Sequence, residues 1–147
     1  MSLKERLKEE QKLAMRAKDK VRLGTIRMLL SAVKQIEIDD KVELDDDAVT
    51  AVIVKSVKQR KDSISQFEKA DRDDLADIEK TELAILEEFL PQALTSEEID
   101  AHIKQAIASS GAQGMQDMGK VMGLLQKDIQ GRADMGQVSA LVRANLK

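Results

Sequence analysis

The residues of this sequence best suited to binding a partner are basic side chains in its last third. Four of them stand out, Lys120, Lys127, Arg132 and Arg143, and Arg132 lies in a Gly-Arg-Ala turn between two predicted helices. Lysine and arginine beside the exposed amides of helix starts are a common arrangement for binding phosphate groups. These four residues are therefore candidates for binding phosphate groups.

A second basic group lies near the middle of the chain, where Lys55, Lys58, Arg60 and Lys61 fall on one predicted helix. They lie one helical turn or less apart, which predicts a positive face on that helix. Basic residues on helices are often simply solvated, so this group alone does not establish a nucleic-acid site. The chain has only two aromatic residues, both Phe, which argues against binding single strands by base stacking.

Thiol and imidazole side chains, which serve many enzymes as nucleophiles and bases, are scarce. The chain has no cysteine and one histidine, His102, which excludes thiolate zinc sites, cysteine nucleophiles and the usual histidine clusters. We expect His102 to have a structural place at or near the surface. Ser63 and Ser65 lie near lysines but lack the Gly-rich setting of a nucleophilic serine. No phosphate-binding loop of the Gly-rich Lys-Ser/Thr type is present, so we expect no catalytic residue, no metal and no cofactor.

Charge is distributed in blocks although the net charge is only −3. Residues 1–34 hold ten basic and four acidic groups, whereas residues 62–100 hold three basic and thirteen acidic groups. The acidic runs at 45–47 and 71–77 lack the alternating ligand pattern of a calcium loop, so we expect helix caps and solvated faces there.

Helices must position all of these residues. The composition, with one proline and 35% charged residues, favours an all-α protein. Apolar residues at three- and four-residue spacing predict helices at about 2–18, 20–38, 47–70, 73–90, 95–109, 117–129 and 134–146. In the fourth helix the pattern directs these side chains to the core: Leu75, Ile78, Ile85, Leu86 and Phe89.

The only proline, Pro91, ends the fourth helix and predicts a domain boundary near residue 92. Thr95 and Glu98 then have the spacing of a capping box. We predict a helical domain over 1–92 and a small three-helix domain over 93–147. The latter holds six of the seven glycines, and its Asp-Met-Gly motif at 117–119 returns at 134–136. Glycine in a first helical turn weakens the helix, so we expect another backbone or a ligand to approach closely there.

The tail motifs Met118-Gly119-Lys120-Val121-Met122-Gly123 and Gly131-Arg132-Ala133-Asp134-Met135-Gly136-Gln137-Val138-Ser139 resemble those of the bacterial YqeY family. Other blocks agree with it: Ala17-Lys18-Asp19-Lys20-Val21-Arg22-Leu23, Lys58-Gln59-Arg60-Lys61-Asp62-Ser63-Ile64 and Phe89-Leu90-Pro91. The likeness covers essentially the whole chain. It departs at Asp71, where the family often has Gly, and at Phe67 and Phe89, where Tyr is usual.

The resemblance implies an N-terminal four-helix region and a small three-helix domain similar to the tail of GatB, the B subunit of the tRNA-dependent amidotransferase. In GatB that tail helps to hold tRNA, which makes Lys120, Lys127, Arg132 and Arg143 the RNA-facing candidates here. The resulting hypothesis is a non-catalytic accessory module, in the cytoplasm, that binds tRNA or structured RNA. We expect neither a membrane nor DNA as its partner.

Two alternatives remain open at this point. The resemblance also implies an association with amidotransferase action, a carbon–nitrogen ligase activity with glutamine as the amide donor. In that case the chain would be a component of the enzyme, or a partner of it. The other alternative is a protein–protein adaptor without RNA binding, because methionines adapt to varied partners. Its surface would comprise Met115, Met118, Met122 and Met135.

Overall fold

The computed structural model describes residues 1–146, and their regular structure is helical throughout. The α-helices are α1 Leu3–Arg16, α2 Lys20–Asp40, α3 Asp46–Lys69, α4 Asp73–Glu87, α5 Ser96–Ser110, α6 Met118–Ile129 and α7 Met135–Leu146, with a short 3₁₀ turn at Met115–Asp117. Within this range no strand forms beyond one isolated bridge, so the prediction of an all-α chain is confirmed. None of the described helices combines the length and apolar character needed to cross a membrane.

The chain divides into two compact units, the first being Met1–Leu90 and the second beginning at Pro91. The first unit comprises α1 to α4. Its core is a single cluster of apolar side chains drawn from all four helices and from the residues after α4: Leu7, Ile26, Leu29, Val33, Val49, Ile53, Val57, Leu86 and Phe89.

Side-chain caps begin three helices of the first unit. The Ser2 hydroxyl accepts from the Glu5 amide in a full capping box, and Asp45 accepts from the Ala48 amide at 2.9 Å. The helix cap expected in the acidic run at 45–47 is therefore confirmed at Asp45, whereas α4, which begins in the run at 71–77, has no side-chain cap. The Asp46 carboxylate instead accepts the Leu3 amide at 2.9 Å and so joins the start of α1 to α3.

Each of the three connections between the helices of the first unit contains one residue in the left-handed conformation, and none of these residues is glycine. Lys18, Lys41 and Asp71 have φ of 56°, 54° and 57°. Asp71 therefore adopts the conformation that glycine favours, and the connection keeps this shape despite the departure from the family pattern. Aspartate is among the residues that tolerate this region best because its short polar side chain bonds locally.

One predicted core position of α4 is wrong. Ile78 is 55% exposed, while Ala76 is fully buried. The small Ala76 side chain lets α4 approach its neighbours closely. Ile78 lies two residues further along the helix and therefore points to a different side, away from the core.

The first unit also contains an ion pair between its first two helices. Lys4 Nζ lies 2.6 Å from Glu37 Oε2, and Glu37 also accepts the Leu44 amide at 2.9 Å. The hydrogen bond from Lys4, followed by that from Leu44, lowers the pKa of Glu37 below its ordinary value of 4.5. The same pair raises the pKa of Lys4 above 10.5.

These shifts predict a pH dependence of stability. A lowered carboxyl pKa gives stability that is present above pH 4.5 and is lost as the pH falls through the folded-state pKa. The Lys4 contribution is present below pH 10.5 and is lost as the pH rises through its raised pKa. We expect Glu37→Gln to lower the denaturation midpoint at neutral pH and to have little effect in strong acid. An equal difference at all pH values would contradict the linkage.

The second unit comprises α5 to α7 around a separate apolar cluster. Its buried members are Leu94, Ile103, Ala106, Val121, Leu125, Ile129, Val138, Val142 and Leu146. The predicted capping box is confirmed, since Thr95 Oγ1 accepts the Glu98 amide and Glu98 Oε1 accepts the Thr95 amide. Gly111 ends α5 in the left-handed conformation, with φ of 67°.

The two Asp-Met-Gly copies behave differently. Asp134 Oδ1 accepts the Gly136 amide at 2.8 Å, so the second copy is capped. Asp117 does not cap α6, and its carboxylate accepts the Gln113 amide instead. At Gly119 no atom outside its own helix backbone lies within 4 Å of a built Cβ, and at Gly136 the near atom is Asp134 Oδ1 at 3.1 Å, which belongs to a side chain. The expectation of a closely approaching backbone is therefore wrong for both copies within the described chain.

This open space predicts a stabilising substitution. Gly119 and Gly123 both lie in α6 with nothing within 4 Å of a built Cβ. Alanine lowers the cost of fixing a helical backbone by about 0.5–1 kcal/mol relative to glycine. We expect each of Gly119→Ala and Gly123→Ala to raise the unfolding free energy by about that amount in urea titrations followed by circular dichroism. Gly111→Ala, at a positive φ, is the control and should destabilise.

Candidate nucleic-acid interface

Two of the four candidate cations share one face of α6. Val121, Leu125 and Ile129 direct the opposite side of this helix into the core. Lys120 and Lys127 are both exposed and lie seven residues apart. Seven residues make about two turns and about 10.5 Å along the helix axis, so the two lysines form one row.

The ammonium groups of this row are weakly engaged. Lys120 Nζ lies 3.9 Å from Asp117 Oδ1 with 72% of its side chain exposed, a distance at the limit of an ion pair. Lys127 has no ion pair with any residue from 1 to 146. Gly123 lies between the two lysines and leaves the helix backbone uncovered. The row can therefore accept phosphate groups without first breaking a strong internal contact.

Arg132 is held in a different way. Its Nε donates to the Gln92 carbonyl at 3.1 Å, and its own carbonyl accepts the Leu94 amide at 2.8 Å. These bonds tie the turn between α6 and α7 to the segment that precedes α5. The charge of Arg132 also helps to lower the pKa of Glu98, after the two hydrogen bonds that Glu98 shares with Thr95.

Arg143 lies in the last turn of α7 and is exposed, next to the buried Val142. A cation at this end of a helix is favoured by the partial negative charge of the terminal carbonyls. The structure thus places Lys120 and Lys127 in one row, Arg132 in a half-buried turn and Arg143 at a helix end. Only the first two are brought together by a single element.

The basic group on α3 is only partly as predicted. Lys55, Lys58 and Lys61 are exposed, but Arg60 is turned towards α4, where it pairs with Glu79 at 3.3 Å and Glu82 at 2.9 Å. The expectation that all four share one solvated positive face is therefore wrong for Arg60. Because the Arg60 guanidinium is already paired with two carboxylates, it is not available to bind a phosphate group.

The remaining chemical candidates are a metal site, the single histidine and the acidic run at 45–47. Residues 1–146 contain no group of three His, Asp or Glu side chains that could hold a metal. His102 is half-buried on α5, as expected of a structural histidine. The acidic run at 45–47 borders an open depression with Ser2 and Lys4, and two of its carboxylates are already engaged by backbone amides.

Most of the predicted methionine surface belongs to the core of the second unit. Met118, Met122 and Met135 are partly buried and pack against the apolar cluster, while Met115 is 45% exposed. One exposed methionine is a small surface for an adaptor.

The sequence motifs do not include a basic row that the structure shows on α2. Lys20, Arg27 and Lys34 are all exposed and recur every seven residues. That interval was the available signal, since it returns to nearly the same side of a helix after two turns.

Comparison with known proteins agrees with the motifs. The family model described as Yqey-like protein matches residues 4–146. Among curated proteins, the chain is 45% identical over 105 residues to "Altered inheritance of mitochondria protein 41, mitochondrial" from Kluyveromyces lactis, covering 69% of this chain and 56% of that protein.

Proteins of the same name from other fungi give similar matches. The one from Lachancea thermotolerans is 41% identical over 104 residues, covering 69% of this chain and 56% of that protein. The one from Pyrenophora tritici-repentis is 33% identical over 127 residues, covering 85% of this chain and 70% of that protein. The chain thus spans about half the length of the first two relatives.

Proposed function

Because the chain belongs to the YqeY-like protein family, we propose that it is a non-catalytic accessory protein that binds tRNA or another structured RNA through its second unit. In this proposal α5 to α7 form a domain similar to the tail of GatB. Lys120 and Lys127 contact phosphates along one row, and Arg132 and Arg143 add contacts from the adjoining turn and helix end.

The observation that carries the proposal is the row on α6. Two exposed lysines, about 10.5 Å apart along the axis, flank an uncovered glycine and have at most one weak ion pair with the described residues. Phosphate contacts of this kind bind a folded RNA by its charge and shape, which needs no aromatic platform. A chain with two phenylalanines and no Trp or Tyr is suited to that mode.

The test is binding of fluorescently labelled tRNA by the full chain at several salt concentrations. Each phosphate contact contributes about 0.7–0.9 to the slope of log affinity against log salt. We expect Lys120→Gln/Lys127→Gln to lower the slope by about 1.4–1.8 and to weaken binding at low salt roughly tenfold or more.

One control and one further variant make this test specific. Lys104→Gln removes a lysine of the same unit that is 73% exposed but lies on α5, and it should leave both the slope and the affinity nearly unchanged. Arg132→Gln should lower thermal stability as well as binding, because the side chain also holds Gln92. Failure of the unsubstituted chain to bind tRNA at low salt would overturn the proposed function, and an unchanged slope in the double variant would overturn the residue assignment.

The amidotransferase alternative would make the chain a component of a glutamine-dependent enzyme. The accessory role is the one we propose because the exposed lysine row on α6 supports it. Ammonia release from glutamine by the purified chain with its partners would favour the alternative.

Location is the remaining part of the proposal. The sequence alone predicts a cytoplasmic chain, whereas the fungal relatives are named as mitochondrial. An RNA-binding accessory role requires a compartment that contains tRNA. We propose that the mitochondrion is that compartment for family members that are similar to these fungal proteins. Imaging of a fluorescent fusion of the full-length protein tests this.

A further inference from the structure

The first unit carries two helix faces of opposite charge. On α2 the basic row of Lys20, Arg27 and Lys34 has no ion pair within the described residues. Beside this row the apolar side chains of Val21 and Met28 are 48% and 47% exposed. We call the surface formed by these five residues the basic face.

The second charged face lies on the N-terminal half of α4. Asp73, Asp74 and Asp77 are exposed there, and Ile78 beside them is 55% exposed. The only ion pair made by these carboxylates in residues 1–146 is that of Asp74 with Arg72, in which both side chains are more than half exposed. We call these four residues the acidic face. Each face thus combines three charges of one sign with at least one exposed apolar side chain.

The two faces border the same surface of the first unit. Arg60 of α3 approaches Met28 Sδ of the basic face to 3.6 Å and reaches Glu82 of α4 at 2.9 Å. Ile78 lies one helical turn before Glu82, on the same side of α4. The apolar edges of both faces therefore flank the Arg60 side chain.

We propose that this surface binds a second copy of the chain, with α2 of each copy against α4 of the other. In this arrangement a two-fold axis near Arg60, which contacts both Met28 and Glu82, forms both pairings at once. Three positive charges then meet three negative charges twice, and Met28 and Ile78 are buried near the axis. The seven-residue interval of the basic row is the one that keeps side chains in register along a packed helix pair.

Other partners fit this surface less well. RNA would satisfy the basic row but would be repelled by the acidic face. A basic protein segment would satisfy only the acidic face. A second copy is the occupant whose charges complement both.

The first experiment is sedimentation equilibrium of the full chain at low and high salt, with interference optics because Trp and Tyr are absent. We expect a mass of twice 16.3 kDa at low salt, with a dissociation constant in roughly the micromolar range. The dimer should weaken at about 1 M salt, where charges are screened beyond about 3 Å. A monomer under all conditions would overturn the proposal.

Charge reversal then tests whether the two faces meet each other. Arg27→Glu/Lys34→Glu and Asp74→Lys/Asp77→Lys should each be monomeric, because like charges then oppose each other across both pairings. An equimolar mixture of the two variants should form a mixed dimer, since one of its two pairings places the reversed faces against each other with opposite charges.

The matched control reverses basic residues of α3, which lie outside both faces and meet no acidic residues in this arrangement. Lys55→Glu/Lys58→Glu on α3 should leave the dimer intact. Circular dichroism checks that each variant is folded. A dimer that survives both reversals, or one abolished equally by the control, would overturn the assignment of these faces, as would two folded monomeric variants that do not associate when mixed.

Discussion

Replacing Phe89 by alanine should cost the first unit about 3–5 kcal/mol of unfolding free energy, the range for large-to-small substitutions of a buried phenylalanine. Phe89 is 2% exposed and belongs to the core cluster. Its ring also lies under two cations, with the guanidinium carbons of Arg6 and Arg22 at 5.0 and 5.7 Å from its centre. The substitution therefore removes core volume and both cation–π contacts together.

The neighbours of Phe89 explain why the effect should be large. Arg6 donates to the Glu88 carbonyl at 3.1 Å, and Arg22 pairs with the Glu88 carboxylate and with Glu10. These contacts fasten the residues after α4 to α1 and α2. Loss of the ring leaves the two guanidinium groups without the surface on which they lie.

Urea titration followed by circular dichroism at 222 nm measures this loss, since helix is the main signal of the chain. Phe89→Leu should cost clearly less, because it keeps most of the buried area and removes only the cation–π part. Phe67→Ala is the matched control, since Phe67 is only half-buried on α3 and lies outside the core cluster. A loss below about 1 kcal/mol for Phe89→Ala would contradict the structure.

Sequence patterns predicted the helices well because they are amphipathic and are marked by local signals. The start of α5 follows from Thr95 and Glu98, whereas α4 ends at Glu87, before the end near Pro91 that the pattern predicted. Such signals act within one or two turns of the chain. They carry no information on which helices become neighbours, so the patterns describe faces but not the residues that meet across them.

Ile78 and the Lys120–Lys127 row illustrate this limit. Ile78 is large and apolar, so the pattern predicted that it lies in the core. In the structure the small Ala76 is buried instead and Ile78 is exposed. The row on α6 was predicted as basic residues of the tail, but its single-face geometry depends on the core side chosen by Val121 and Leu125. Which side chains are exposed and can contact a partner depends on which side of each helix packs into the core.

The sequence does contain a signal that Arg60 faces the core, but its position among other basic residues concealed that signal. It follows Val57 by three residues and precedes Ile64 by four, so it shares a face with two buried residues. Its basic neighbours Lys58 and Lys61 lie off that face and are exposed. A charged residue at a core-facing position needs a partner. The long acidic helix that follows in the sequence supplies two.

Replacing Arg60 by methionine should therefore destabilise the first unit although it removes a charge and keeps an apolar stem. Glu79 and Glu82 would remain with 21% and 25% of their side chains exposed and no counter-ion in that position. Removing one member of a buried ion pair costs about 3–5 kcal/mol. Because all three side chains retain some solvent contact, we expect about 2–3 kcal/mol, discounted for screening, in the same urea titration.

A compensated variant separates this charge effect from lost packing. Arg60→Met/Glu79→Gln/Glu82→Gln removes the uncompensated carboxylates, so it should regain much of the stability lost by Arg60→Met alone. Lys58→Met on the exposed side of α3 is the matched control and should change stability by no more than about 0.5 kcal/mol. If the triple variant were no more stable than the single one, packing rather than charge would be the reason that Arg60 lies between α3 and α4.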